Sequence, residues 1–315
     1  MPFQAKNQAF NAKIRPLTIG TGDKAVTMGG NNTLPFYEFD AASANAPKIG
    51  VEISDLALEE YVQPQLKEFY AGCDTIPAMA KRAQEMPGAS FIVLRFESAD
   101  PNGKNTSVEE CAALAKEVAD VVEMPIVIMG CKNVDKDAEI FNKVSEVLAG
   151  RNILVLSARE ENYKTVGASA GLAYSQKVGA ESAVDINLAK QLNTIITQLG
   201  VPAESIAIQA GSSAAGYGFE YLASTLDRIK NAALQASDGM LQMPIITPVS
   251  TETWVVKEAT LPEAEADEGW GDAEERGINM EITTASACLA CGSDAVILRH
   301  PSSVLAISKM IDALI

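Results

Sequence analysis

Short apolar runs alternate with amphipathic stretches along most of the chain. Residues 89–131 show the unit most clearly. Phe91-Ile92-Val93-Leu94 is a compact apolar run closed by the turn formers Glu97-Ser98-Ala99-Asp100-Pro101-Asn102-Gly103. Its length and sharp boundaries predict a strand buried on both faces. Thr106-Ser107-Val108-Glu109-Glu110 then places hydroxyls ahead of acids, which suits the positive end of a helix. Val108, Cys111, Ala112, Leu114, Ala115, Val118 and Val122 recur at helical spacing, with Glu109, Lys116, Glu117 and Asp120 between them. Pro125-Ile126-Val127-Ile128-Met129 is a second apolar run. Strand, helix and strand in this order form a βαβ unit with parallel strands.

The same rhythm predicts strands at 49–53, 91–96, 125–130, 153–157, 182–186, 206–209, 244–249 and 295–298. Helices are predicted at 136–149, about 163–178, 187–199 and 219–236, with a closing helix at 304–314. Eight strands alternating with helices is the count of a TIM (β/α)8 barrel. The alternative is an open doubly wound sheet. Such a sheet usually carries a glycine-rich phosphate loop after strand one, and here that position reads Ser54-Asp55-Leu56-Ala57.

Residues 1–47 stand apart as an N-terminal hairpin extension, and 48–315 form the barrel domain. Ile14–Gly20 and Ala25–Met28 read as two strands around the turn Gly20-Thr21-Gly22-Asp23-Lys24. Gly29-Gly30-Asn31-Asn32-Thr33-Leu34-Pro35-Phe36 is a loop leading into the main fold. The hairpin is expected to close the bottom of the barrel. One acidic insertion, Lys257 to Asp272, breaks the alternation between the last two strands. It reads either as a solvated excursion carrying Trp270 or as a docking surface on the working face.

Composition narrows the function. The 315 residues are 47% hydrophobic and 21% charged, enough apolar content for a full core. A formal net charge of −16 argues against nucleic acid and against an anionic membrane surface as partners. No apolar run reaches the length of a membrane span, and Met1-Pro2-Phe3-Gln4-Ala5-Lys6 lacks a signal-peptide core, so a cytoplasmic location is expected. The five scattered cysteines fit reduced thiols.

In a barrel the working face is the set of loops after the strands. Those loops carry Ser54 and Asp55; Glu97, Ser98, Asp100 and Asn102; Cys131 and Asn133; Ser157 and Arg159; Asn187; Gln209, Ser212 and Ser213; Ser250, Thr251 and Glu252; and His300. Neutral hydrogen-bonding groups dominate, which suits a large polar ligand. The single histidine, His300, reads as a residue oriented by its own loop, with a ligand hydrogen bond as the alternative. Cys288-Leu289-Ala290-Cys291 sits in apolar helical text and reads as a pair of buried structural thiols. The glycine-dense Gly211–Gly218 loop is either a tight connection or a backbone cradle, and it lacks the lysine of a nucleotide P-loop. The acids Glu160-Glu161, Glu97 and Asp100 read as solvated surface groups unless the fold brings them together.

Longer stretches add a resemblance. Val26-Thr27-Met28-Gly29-Gly30-Asn31-Asn32-Thr33-Leu34-Pro35-Phe36-Tyr37, Lys48–Asp55, Phe91–Pro101, Ala207–Gly211 and Arg299-His300-Pro301 resemble the small subunit family of corrinoid iron–sulfur proteins, the delta subunits of acetyl-CoA decarbonylase/synthase. The resemblance covers essentially the whole chain. It implies a barrel like that of pterin-binding methyltransferases, with no catalysis by this subunit alone. It also implies a heterodimer with a large subunit that holds the iron–sulfur cluster and a cobamide-binding domain. The cobamide would lie between that domain and the top of this barrel. Its cobalt would carry a methyl group from a methyltetrahydrofolate methyltransferase to acetyl-CoA synthase, in the carbon dioxide-fixing acetyl-CoA pathway of anaerobes. The chain has no four-cysteine cluster motif and no Asp-x-His-x-x-Gly cobalamin motif, which places both metals on the partner. By loop position, the candidate cobamide contacts are Ser98, Asp100, Asn102, Asn133, Asn187, Gln209, Ser212 and His300. The competing reading is a stand-alone pterin-dependent methyltransferase, with Asp100, Asn133 and Asn187 toward the pterin. A third reading is a scaffold docked through its acidic insertion.

Overall fold

A computed structural model describes residues 9–34 and 43–315. The Met1–Lys6 terminus and the end of the Gly29–Phe36 loop lie outside the described residues. Two strands, β1 (Leu17–Ile19) and β2 (Val26–Met28), pair antiparallel as a hairpin. Eight more follow: β3 (Lys48–Ser54), β4 (Ala89–Arg95), β5 (Ile126–Met129), β6 (Leu154–Ala158), β7 (Lys177–Glu181), β8 (Ile206–Gln209), β9 (Ile246–Pro248) and β10 (Ala295–Leu298). From β3 to β8 each pairs parallel with the next, and β10 pairs with both β9 and β3. The ring closes between β8 and β9 through a single bridge, Ile208 to Ile245, where the Ile208 amide donates to the Pro244 carbonyl at 2.8 Å. This is an eight-stranded parallel barrel with one thin seam, and the open sheet is excluded.

Strand residues split by alternation into two apolar sets. Phe91, Val93, Val127, Leu154, Leu156, Ala207 and Ile297 fill the inside of the ring. Ile92, Leu94, Ile128, Val155, Ile208, Val296 and Leu298 join the layer packed with the surrounding helices. This period of two, buried on both sides, explains why the strands read as continuous apolar runs. The helix Val108–Val121 begins with a capping box between Ser107 and Glu110, as its sequence predicts.

Leu17, Ile19 and Met28 belong to the interior set, so the hairpin plugs the amino-terminal end of the barrel. Asn152, just ahead of β6, pins it: its side-chain amide donates to the carbonyls of Thr18 (3.0 Å) and Gly20 (2.9 Å), while its own carbonyl accepts from the Gly20 amide (2.8 Å). Asn152 also sits at φ +52°, a left-handed conformation asparagine tolerates better than alanine. Asn152→Ala should therefore lower stability by about 2–4 kcal/mol in urea denaturation. Asn152→Gly loses the same side-chain bonds but not the backbone fit, so it should cost about 1 kcal/mol less.

The fifth barrel strand requires a correction. It is Lys177–Glu181, not 182–186. The segment predicted as strand is a turn with Ala183 and Val184 at positive φ, and Asp185 caps the helix Ile186–Gln198 by accepting from the amides of Asn187 and Leu188. The helix predicted over 163–178 is shorter, an α-turn at Tyr163–Val166 running into a π-helical Gly167–Ala173. Gly179 makes the real strand hard to read. A β-carbon there would overlap the end of the Leu156 side chain, which would have to shift to admit it.

Candidate functional site

The strand ends present two unlike halves. On the β3, β4 and β10 side an ionic cluster occupies the strand ends. Glu52 of β3 is fully buried between Arg299 (2.9 Å) and Arg95 (3.5 Å), and Ser250 donates to its other oxygen. Arg95 also reaches Glu97 at 3.0 Å. Tyr61 donates to the Glu52 carbonyl at 3.1 Å and carries the Arg299 guanidinium 4.9 Å over its ring. Burial alone would raise the Glu52 carboxyl, but Arg299 and Arg95 outweigh it and hold the group below its ordinary value.

On the β5 to β8 side the barrel mouth is open. A cavity of about 280 Å³ lies among Gly130, Leu156, Ser157, Glu181, Gln209 and Ser212. The buried oxygens Ser157 Oγ, Gln209 Oε1 and Ser212 Oγ make no hydrogen bond there among the described residues. Buried polar atoms are nearly always paired, so three orphans around one cavity mark a place built for an outside partner. Two ion pairs frame the rim. Arg159 forks onto Glu181 at 3.0 and 3.1 Å, and Lys132 meets Glu252 at 3.0 Å.

Asp137 reaches the cavity wall beneath Gly130, where a β-carbon would collide with its carboxylate. It accepts from the Cys131 amide (2.7 Å) and thiol (3.3 Å). Burial pushes the Asp137 carboxyl up, and burial first, then the Asp137 charge, carries the Cys131 thiol to about 11. A thiol that stays protonated is a poor nucleophile. These groups are equipped to bind, not to attack.

The structure brings together two of the eight predicted residues at this mouth, Gln209 and Ser212. The others do not line it. Ser98 gives its hydroxyl, and its amide at 2.9 Å, to Asp55. Asp100 accepts from the Asn102 amide in a local turn, with Asn102 exposed. Asn133 caps the helix Val134–Val147, and Asn187 lies exposed in the first turn of its helix. His300 is fully buried: its Nδ1 accepts from the Ser302 amide, Nε2 meets Glu274 at 3.1 Å, and its ring stacks on Trp254. It is the residue oriented by its own loop. Lys132, Asp137 and Glu181 at the mouth were not singled out by sequence. Glu181 is hidden by the misplaced strand, and Asp137 reads as an ordinary acid of a helix first turn.

The acidic insertion is half solvated and half anchored. Residues 262–265 and 267–269 are mostly exposed. Trp270, however, folds back between Lys257 (5.4 Å) and Arg276 (5.7 Å), and Arg276 also donates to the carbonyls of Glu258, Leu261 and Gly271. Cys288 is buried in the helix Ala273–Ala290, and Cys291 ends it. Among the described residues, no helix is long and apolar enough to cross a membrane.

Comparison with known proteins places this geometry. The family model described as CO dehydrogenase/acetyl-CoA synthase delta subunit matches residues 16–299. The acetyl-CoA decarbonylase/synthase complex subunit delta 2 of Methanosarcina acetivorans is 31% identical over 299 residues, covering 94% of this chain and 67% of that protein. The delta subunit of Archaeoglobus fulgidus is 28% identical over 323 residues, covering 99% and 71%. Among solved structures, Yersinia pestis dihydropteroate synthase in a sulfonamide drug complex superposes with a TM-score of 0.57 at 12% identity, covering 85% of this chain and 93% of that one. Xanthomonas albilineans dihydropteroate synthase with 4-aminobenzoic acid gives 0.54 at 14%, with the same coverage. At such identities these two likenesses speak for the fold alone. The match over nearly the whole barrel settles the ancestry: the chain belongs to the CO dehydrogenase/acetyl-CoA synthase delta subunit family.

Proposed function

We propose that this chain is the small subunit of a corrinoid iron–sulfur methyl carrier, and that its barrel mouth covers a cobamide held by a large partner subunit. The observation that carries the reading is the set of orphaned oxygens of Ser157, Gln209 and Ser212 around one cavity. The rim of a corrin carries primary amides, each with two N–H donors and a carbonyl, and these match a hydroxyl-and-amide lining. Size sets the arrangement. At about 280 Å³ the cavity lies just under the ~300–1,000 Å³ usual for sites that enclose a drug-sized ligand. It would admit an amide arm, and the macrocycle would lie across the opening.

When bound, the cobamide supplies a cobalt that accepts a methyl group and gives it up again. The chain's own part is to hold and shield. Gln209, Ser157 and Ser212 would take rim amides. The Arg159–Glu181 and Lys132–Glu252 pairs fix the loops around them. The Glu52 cluster fixes Arg95 and Arg299 at the neighbouring strand ends. The methyl donor side would be a methyltetrahydrofolate methyltransferase and the acceptor side acetyl-CoA synthase, with the iron–sulfur cluster on the large subunit.

Visible spectroscopy tests the reading. The isolated chain should be colourless after incubation with a cobamide. It should co-purify with corrinoid absorbance only when expressed with its large subunit. Tight cobamide binding by the chain alone would overturn the assignment. Methyltetrahydrofolate titrated into the isolated chain should give no binding isotherm, because Asp100 and Asn133 are spent on their own turns. A saturable isotherm would favour the stand-alone pterin methyltransferase instead.

A further inference from the structure

We propose that a second cavity on the strand-end face is a socket for a lysine or arginine side chain of a partner protein. It measures about 460 Å³ and lies between the loop after β3 and the acidic insertion. Val62, Pro64, Trp254, Val255 and Ala259 give it an apolar side. Val62 and Val255 stand 59% and 60% exposed at its edge, β-branched side chains left in water on a chain that buries most of their kind. Such a pair beside a concave surface reads as an unfilled contact.

Charge selects the occupant. Four carboxylates line the cavity, those of Glu60, Glu97, Asp272 and Glu274, against the two guanidiniums of Arg95 and Arg299. Both guanidiniums are already engaged by Glu52, and Arg95 by Glu97 as well. The excess is negative, and an anion would meet repulsion. The Glu60 carboxylate makes no hydrogen bond or ion pair among the described residues, and burial together with the neighbouring Glu97 charge pushes it up. A cation seated between Glu60 and Glu97 relieves that repulsion. Gln63 adds a buried Oε1 with no partner, a further acceptor for an N–H. A bare metal ion does not fit, because Asp272 caps a helix and Glu274 is taken up by the Gln65 and Leu66 amides and His300. A long cationic side chain does: its methylene stem lies on Val62, Trp254 and Val255 while its head reaches the carboxylates. The insertion thus serves as one wall of a docking site, with its exposed acids drawing a basic surface toward the socket.

Methyl-labelled full-length chain is titrated with n-butylguanidinium, n-pentylammonium, pentanol and pentanoate, and with a capped tripeptide carrying lysine between two leucines. The Val62 and Val255 methyl signals report the socket, and Val184 reports the barrel mouth. Both cations should shift Val62 and Val255 saturably in the millimolar range and leave Val184 still. The tripeptide should bind at least fivefold tighter than pentylammonium, since its flanks cover the two valines. Glu60→Gln, at an exposed position, should weaken cation binding at least fivefold. Equal shifts by pentanol or pentanoate, no saturation by the cations, a tripeptide no tighter than the amine, or indifference to Glu60→Gln would each overturn the proposal. No cobamide or large subunit enters the experiment, so its outcome is independent of the corrinoid reading.

Discussion

Replacing Glu52 by glutamine is expected to cost about 3–5 kcal/mol of folding stability, the largest loss among single substitutions at the strand ends. The residue is nearly isosteric, so the effect is electrostatic. Arg299 is 92% buried and would keep its charge without its counter-ion, since among the described residues only Glu52 forms an ion pair with it; Arg95 would retain, among those residues, Glu97 alone. Urea denaturation should show the midpoint falling with an unchanged slope, because the surface exposed on unfolding is the same. Removing both charges together, as Glu52→Met with Arg299→Met, should recover much of the loss, since an apolar pair leaves no uncompensated ion. A Glu52→Gln cost under about 1 kcal/mol would mean that the guanidiniums find water in place of the carboxylate.

The same cluster shapes the pH dependence. The folded Glu52 carboxyl lies below its ordinary value, so its contribution is complete above the unfolded value of about 4.3 and is lost as pH falls through the lower folded one. Asp55, Asp137 and Glu281 carry the opposite sign. Burial raises all three, so each favours the fold when protonated, and that contribution disappears as pH rises through its folded value. Stability should therefore gain from these three as pH falls toward the ordinary carboxylate range, opposed by His300, whose lowered folded value favours the neutral ring, and then be lost as pH falls through the folded Glu52 value. Glu52→Gln should retain the gain and flatten the loss. Thermal midpoints measured across that range at constant ionic strength check both limbs.

How much of this was legible beforehand depended on how each residue carries its information. The apolar runs of β3, β4, β5, β6, β8 and β10 announce themselves because both faces are buried, and the ring follows from their count. The hairpin plug was readable from the exposed core that an open barrel end would leave. The strand Lys177–Glu181 was not, because Gly179 withholds the side chain that would mark it and polar residues close both ends. Ala183-Val184 drew the strand assignment one turn too far, although the chain there adopts positive φ. At the site, Gln209 and Ser212 follow directly from being at the end of β8 and in the loop after it. His300, Asn133 and Asp100 occupy equivalent positions in the sequence, yet their side chains satisfy backbone amides of their own turns. Position after a strand says which end of the barrel a residue sits at. Whether its side chain is free depends on local turn and cap chemistry that polar residues of these types serve equally well.

Gln209→Leu separates a binding role from a structural one by the sign of its effect. A structural glutamine loses hydrogen bonds when replaced, and the fold weakens. Here the buried Oε1 has no partner, so the amide carries a desolvation penalty that leucine of similar size avoids. The isolated chain should be unchanged or more stable, by up to about 1 kcal/mol, while its affinity for the corrinoid-loaded large subunit drops about tenfold, or about 1.4 kcal/mol. Ser212→Trp makes the stronger case. An indole there occupies the space into which a rim amide would reach. The isolated chain should lose no more than about 1–3 kcal/mol, the usual cost of overpacking a buried position, and assembly with the corrinoid-loaded large subunit should weaken a hundredfold or more, about 2.7 kcal/mol. Isothermal titration of each variant against the large subunit, with and without its cobamide, reads the effect directly. The loss should appear only with the cobamide present, because the orphaned oxygens at the mouth have no role in an interface that leaves them dry and unpaired. Equal loss in both states would assign Gln209 and Ser212 to protein–protein contact instead.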